Sequence, residues 1–213
     1  MKKNATELVF IIDRSGSMQG YEADTVGGIN STLERQRAIE GEVTVSTVLF
    51  NTQTEVIHDR ISIDKIKPMS VDDYRVGGCT ALLDALGGSI NHIRKVHKYI
   101  RPEDVPEHTV FVITTDGMEN SSTRYSGGEV REMIKQQTDE AGWEFIFLAA
   151  NIDAVDTARY IGIREERAAN FTQNSAGYTA CYEAAAEFMC AKRSRIIKSG
   201  DSSTGWKKKL EKK

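Results

Sequence analysis

Long apolar runs are missing from this sequence, and cysteine is scarce. The N-terminus leads into a short apolar run, Leu8–Ile12, which is shorter than a signal-peptide core and far too short to span a membrane. The only three cysteines, Cys79, Cys181 and Cys190, form no CxxC pair and no paired His/Cys spacing. A chain of 213 residues does not need disulfide bonds to be stable. We therefore expect a reducing, cytoplasmic compartment and no membrane partner.

A large basic surface is also missing. The chain is 39% hydrophobic and 28% charged, which is ordinary for a globular protein, and its formal net charge is −3. Residues 198–213 hold six lysines against two acidic residues, so this segment is +4 and the remainder is −7. An acidic body gives no electrostatic reason to bind nucleic acid. We predict one domain over residues 1–197 and a basic, disordered tail over residues 198–213.

Strand and helix patterns alternate along the chain. Glu7–Ile12 is predicted to be a strand, because its apolar run is typical of a parallel strand buried on both faces. Val26, Ile29 and Leu33 recur at helical spacing and predict a helix that ends near Gly41. The alternation predicts a three-layer, doubly wound α/β domain, with helices on both faces of a mostly parallel sheet. Further strands are predicted over Val43–Phe50, Thr109–Thr115, Trp143–Ala150 and Ala168–Thr172, and Thr54–Ile63 is predicted to form one or two edge strands with a turn at Asp59–Arg60. Further helices are predicted over Leu82–Tyr99, Ile152–Ile161 and Ser175–Ile197, and another is predicted after a capping box at Ser126–Glu129.

Oxygen-bearing side chains follow the first predicted strand. If the chain stays extended there, Asp13, Ser15 and Ser17 lie on one side, because side chains alternate along a strand. Such oxygens suit a small, hard cation. Ligand sites in open α/β sheets lie off the carboxyl ends of the strands. Thr80, before the central helix, and Asp116, after the fourth strand, are placed to reach the same edge, so we predict a magnesium site there.

These three stretches resemble the metal-ion-dependent adhesion site of von Willebrand factor type A domains, also called the integrin I-like fold. The family motif reads Asp-x-Ser-x-Ser, then Thr, then Asp, and all five positions are matched in this sequence. The segment Gly77–Leu86 is similar to the family's Gly-Gly-x-Thr-x-Leu-x-Asp-Ala segment, and Thr114–Gly117 is similar to its second Asp-Gly turn. In element order the resemblance covers roughly residues 7–197. It implies a Rossmann-like fold.

The resemblance also implies a role for each site residue. Ser15, Ser17 and Thr80 would offer hydroxyl oxygens directly to Mg²⁺, and Mn²⁺ or Ca²⁺ stay open in its place. Asp13 and Asp116 would lie nearby, with either or both acting through bound water. Three neutral hydroxyls leave the ion electron-poor, so an Asp or Glu of a partner protein is the expected sixth ligand. We therefore predict a metal-dependent protein-interaction module and not an enzyme.

Other interpretations stay open at this point. Ser15 and Ser17 could cap the following helix, Thr80 could be the N-cap of the central helix, and both aspartates could be turn residues at strand ends. A magnesium-dependent phosphohydrolase with Asp13 as nucleophile is a second possible function. That chemistry in the haloacid-dehalogenase type needs Asp-x-Asp, and residue 15 is serine. A third possibility is a scaffold in which the metal only stabilises the fold.

Overall fold

Six strands and five helices alternate along residues 1–194 and 204–210, which are the residues that the computed structural model describes. The strands are β1 Lys2–Asp13, β2 Glu42–Phe50, β3 Thr54–Ser62, β4 Pro106–Thr115, β5 Glu144–Ala149 and β6 Ala168–Asn170. The helices are α1 Glu22–Arg37, α2 Leu82–Tyr99, α3 Gly127–Ala141, α4 Ala154–Tyr160 and α5 Ser175–Arg193. The sheet order is β3-β2-β1-β4-β5-β6, and only the β2–β3 pair is antiparallel.

The central strand β1 explains the three layers. Leu8, Phe10 and Ile12 alternate with Val9 and Ile11, and all five side chains are fully buried. The first three join a core cluster with α1 and α5, while the other two join a second cluster with α2, α3 and α4. A strand that is apolar on both faces needs cover on both, which the helices provide. The predicted three-layer α/β architecture is therefore confirmed.

Most differences from the predicted elements concern their ends. β1 and β4 begin earlier than predicted, and α1 ends at Arg37, before Gly41. The turn predicted at Asp59–Arg60 is wrong, because β3 continues through it with Arg60 in a left-handed conformation (φ 51°) and an irregular register against β2. The last residues of the predicted helix Ser175–Ile197 lie outside the described residues. All three cysteines are free, and no helix in the described part is long and apolar enough to cross a membrane.

Residues 204–210 are not the disordered tail that the composition predicts. They contain a 3₁₀ turn, Gly205–Lys209, that packs on α5. The Trp206 ring is buried and meets the Phe188 ring edge to face, with 5.6 Å between the centroids. Lys209 Nζ lies 2.8 Å from a carboxylate oxygen of Glu183. Burial of one large aromatic side chain therefore orders a segment whose composition is mostly polar. The rest of the predicted tail lies outside the described residues.

A buried ionic cluster joins β1 to β3 and α2. The Glu7 side chain is fully buried, and Arg60 donates to both of its oxygens at 2.7 and 3.0 Å. His97 Nε2 lies 2.9 Å from Glu7 Oε2. Burial raises the pKa of Glu7, but the hydrogen bonds from His97 and Arg60 outweigh burial and hold that pKa below its usual range. The cluster therefore stabilises the fold only while Glu7 is ionised.

The Glu7→Gln variant tests this cluster. Because removing one partner leaves Arg60 without its counter-charge, we expect the free energy of unfolding to fall by about 3 kcal/mol at neutral pH. The folded pKa of Glu7 lies below the unfolded value, so its contribution is present above pH 4.5 and is lost as the pH falls through the folded pKa. Urea unfolding at several pH values measures this, with the exposed Glu103→Gln as control. A loss that does not depend on pH would contradict the ionic role.

Candidate metal centre

The site lies where β1 and β4 end side by side. The two strands are parallel neighbours, with Ile12 opposite Thr114, so Asp13 and Asp116 follow the paired segment on adjacent strands. The loop before α2 approaches the same edge, because Gly16 N donates to the Gly78 carbonyl oxygen at 3.0 Å. The sheet therefore brings together the three stretches that the sequence predicts to meet.

Hydroxyl and carboxylate oxygens converge at this edge. Ser15 Oγ lies 3.1 Å from Ser17 Oγ, and Ser17 Oγ donates to Asp116 Oδ1 at 2.5 Å. The Thr80 and Ser17 hydroxyls both lie beside Gly117, because a Cβ atom on this glycine would lie 3.3 Å from Thr80 Oγ1 and 3.4 Å from Ser17 Oγ. A larger residue at position 117 would thus crowd the space between the two hydroxyls. The predicted hydroxyls lie in one small region.

The route by which the serines meet differs from the prediction. The chain does not stay extended after Ser15 but enters a 3₁₀ turn, Gly16–Met18, in which Met18 N donates to the Ser15 carbonyl oxygen at 3.0 Å. The turn still leaves the Ser15 and Ser17 hydroxyls within hydrogen-bond distance of each other. Turn geometry, and not strand alternation, sets their separation.

Asp13 is fully buried, and its two hydrogen-bond donors among the described residues are neutral. Its Oδ1 accepts from Ser15 N at 2.7 Å, and its Oδ2 accepts from Thr115 Oγ1 at 2.5 Å. Burial raises the pKa of Asp13 to about 6, although these hydrogen bonds oppose the shift. Burial also raises the pKa of Asp116. Both carboxylates are therefore more costly to ionise than exposed ones, and a nearby cation would relieve that cost.

The helix-cap interpretations do not hold. The N-cap of α2 is Ala81, one residue after Thr80, and the N-cap of α1 is Tyr21. Neither α1 nor α2 begins with a side-chain capping bond, so the Ser15, Ser17 and Thr80 hydroxyls are not used as helix caps. For Asp13, the bond from Ser15 N agrees with the turn-residue interpretation. That bond does not conflict with a cation nearby.

Two residues that the sequence did not indicate reach the site. Gln173, between β6 and α5, donates from Nε2 to Asp116 Oδ2 at 2.6 Å and to the Ser17 carbonyl oxygen at 3.3 Å. Tyr74 Oη donates to the backbone carbonyl oxygen of Asp13. Both contacts join residues far apart in the sequence, and no motif marks either residue.

The residues present fit a hard divalent cation. Two adjacent ligands of an octahedral Mg²⁺, each about 2.1 Å from the ion, lie about 3 Å apart, close to the separation of the two serine hydroxyls. Within the described part of the chain, no group of three or more His, Cys, Asp or Glu side chains could hold a metal. Any ion at this edge would therefore need hydroxyl oxygens or water in addition to the carboxylates of Asp13 and Asp116. The metal-ligand role of these residues stays a prediction.

Several solved structures are similar to this chain. A protein described as von Willebrand factor type A from Catenulispora acidiphila is 16% identical, with a TM-score of 0.59 over 90% of this chain and 43% of the other. Proximal thread matrix protein 1 from the mussel byssus, with zinc in its metal-ion-dependent adhesion site, is 16% identical, with a TM-score of 0.59 over 89% of this chain and 47% of the other. The von Willebrand factor domain of the pilus tip protein Mfa5 from Porphyromonas gingivalis is 10% identical, with a TM-score of 0.58 over 88% of this chain and 96% of that domain.

These likenesses define the fold. The chain is a three-layer α/β protein with a mostly parallel sheet. More narrowly, it has the von Willebrand factor type A fold. It spans less than half of the length of the Catenulispora and mussel proteins. Neither a protein-family model nor a curated protein matches the sequence.

Asp13→Asn should stabilise the protein when metal is removed with EDTA. The folded pKa of Asp13 exceeds the unfolded value of 3.8, so stability is lost as the pH rises from there to about 6. At pH 7 the ionised carboxylate then costs up to about 3 kcal/mol. We expect the variant to gain about 1–3 kcal/mol in urea unfolding at pH 7 and almost nothing at pH 3.5. The exposed Asp72→Asn is the control, and a destabilised Asp13→Asn at pH 7 would contradict the prediction.

Proposed function

We propose that this protein is a magnesium-dependent protein-interaction module. In this proposal Ser15, Ser17 and Thr80 hold the ion through their hydroxyls, and Asp13 and Asp116 act nearby, either or both through water. The observation that carries the proposal is the convergence of these side chains at one sheet edge, around a glycine that leaves space between the hydroxyls. Their ordered match to the family motif supports the same function.

The chemistry of the donor set suggests the kind of partner. Hydroxyls are neutral, so an ion held mainly by them keeps most of its positive charge and attracts an anionic ligand. An Asp or Glu side chain of a partner protein is the ligand we propose for the open position, with Mn²⁺ or Ca²⁺ able to replace Mg²⁺. Zinc in the corresponding site of the mussel protein supports divalent metal binding on this fold. We propose a cytoplasmic location from the cysteine content alone.

A phosphohydrolase is less well supported. A nucleophilic carboxylate must reach the substrate phosphorus, but Asp13 is fully buried and both of its oxygens already accept hydrogen bonds. Residue 15 is also a serine that cannot serve as the second carboxylate. A generic phosphatase assay tests this alternative. Magnesium-dependent turnover that disappears in Asp13→Asn would favour the enzyme over our proposal.

Thr80→Ala tests the metal centre directly. Because the variant removes one of three proposed hydroxyl ligands, we expect Mg²⁺ affinity to fall at least about tenfold in titration calorimetry. Thr179→Ala, at an exposed position on α5, is the matched control and should bind like the wild type. Unchanged affinity in Thr80→Ala would remove this residue from the centre. A fold that melts only when EDTA is added would favour the scaffold interpretation.

Partner binding needs a separate experiment. Tagged wild-type protein is incubated with native lysate in Mg²⁺ or in EDTA, beside Thr80→Ala in Mg²⁺. We expect one set of proteins to be captured only by the wild type with Mg²⁺, and replacement of a surface carboxylate on the captured partner to abolish binding. The same captured proteins in all three samples would contradict a metal-mediated interaction.

A further inference from the structure

The Gln173 side chain lies over one side of the proposed centre. Its Nε2 donates to Asp116 Oδ2 at 2.6 Å and to the Ser17 carbonyl oxygen at 3.3 Å. Its Oε1 accepts from Asn151 Nδ2 at 2.5 Å, and its backbone carbonyl oxygen accepts from Tyr21 Oη at 3.0 Å. Four hydrogen bonds therefore hold this residue on the site, from both its side chain and its backbone.

Gln173 provides one of two hydrogen bonds to the Asp116 carboxylate. Its Oδ1 accepts from Ser17 Oγ at 2.5 Å, and its Oδ2 accepts from Gln173 Nε2. Each carboxylate oxygen thus already has one short donor. In the proposed function Asp116 acts through water, which would donate to its carboxylate, and the Gln173 amide N–H donates to the same carboxylate. The amide and a hydrated cation would therefore compete for the Asp116 carboxylate.

Gln173 lies on the solvent-accessible side of the site. Asp13, Ser15 and Thr80 are buried, whereas Ser17 is exposed and Gln173 is partly exposed. A ligand that approaches from solvent therefore meets Ser17 and Gln173 before it meets the buried residues. A partner carboxylate would have to approach past the same amide.

We propose that Gln173 is an internal competitor that lowers the affinity of the centre for a hydrated divalent cation and for a partner carboxylate. The inference rests on the proposed function, because it assumes that the cation binds at this edge. The inference predicts the direction in which Gln173 changes the affinity for the cation. A residue that only positioned Asp116 would strengthen cation binding, whereas a competitor weakens it.

Replacement of Gln173 gives the test. Gln173→Ala removes the amide that donates to Asp116 Oδ2, and one hydrogen bond that no longer has to be broken is worth about a fivefold change in affinity. We expect Mg²⁺ to bind about five- to tenfold more tightly in titration calorimetry on the full chain. Gln173→Met keeps the length of the side chain without a donor and should change the affinity in the same direction. Gln136→Met, at an exposed position on α3, is the control and should have no effect.

Asn151→Gly provides an independent variant. It removes the donor that holds Gln173 Oε1, and glycine accepts the left-handed backbone of residue 151 (φ 55°) without strain. We expect a smaller gain in Mg²⁺ affinity than in Gln173→Ala, because the bonds to Asp116 and Ser17 remain available.

The outcomes separate the inference from the proposed function. Mg²⁺ binding that is weaker or unchanged in both Gln173→Ala and Gln173→Met would overturn the inference alone. Binding that appears only after Gln173 is replaced would support it in its strongest form. If neither the wild type nor Gln173→Ala binds Mg²⁺ or Mn²⁺, the proposed function and the inference both fail.

Discussion

The parallel pairing of β1 with β4 is the constraint on which the rest of the structure depends. The register that places Ile12 opposite Thr114 also brings the ends of the two strands level. Thr115 Oγ1 can then donate to Asp13 Oδ2, and Asp116 lies within reach of Ser17. A shift of one residue would reverse the buried faces of β1, because side chains alternate along a strand. The packing that fixes the core therefore also fixes the site.

β1 carries two buried carboxylates, Glu7 in its middle and Asp13 at its carboxyl end, and their surroundings differ. Glu7 faces Arg60 and His97, which hold its pKa below the usual range despite burial. The two donors to Asp13 among the described residues, Ser15 N and Thr115 Oγ1, are neutral, and burial raises the pKa of Asp13 to about 6. Breaking a buried ion pair destabilises a fold, because it leaves an uncompensated buried charge. The negative charge at Asp13 is therefore a cost to the fold, which the proposed cation would offset.

The sequence predicted those parts of the structure that depend on local patterns of apolar and polar residues. The apolar run of β1 and the helix spacings determined the three layers, and strand ends indicated which loops would meet. Contacts between distant residues left no such pattern, which is why Gln173 was missed. Residues 204–210 were mispredicted because composition averages over residues, while burial of Trp206 against Phe188 depends on one side chain. The serine geometry followed from a turn that alternation along a strand does not describe.

The affinity of the proposed cation would be a difference between the bonds that it forms and the bonds that the protein gives up. The buried carboxylates of Asp13 and Asp116 accept from Ser15 N, Thr115 Oγ1, Ser17 Oγ and Gln173 Nε2. The first three donors belong to residues at or next to the ends of β1 and β4 and are compatible with a cation nearby. Gln173 belongs to a separate loop and lies on the accessible side. Because only this donor would have to move under our proposal, replacement of Gln173 would alter the affinity without disturbing the sheet that holds Asp13 and Asp116.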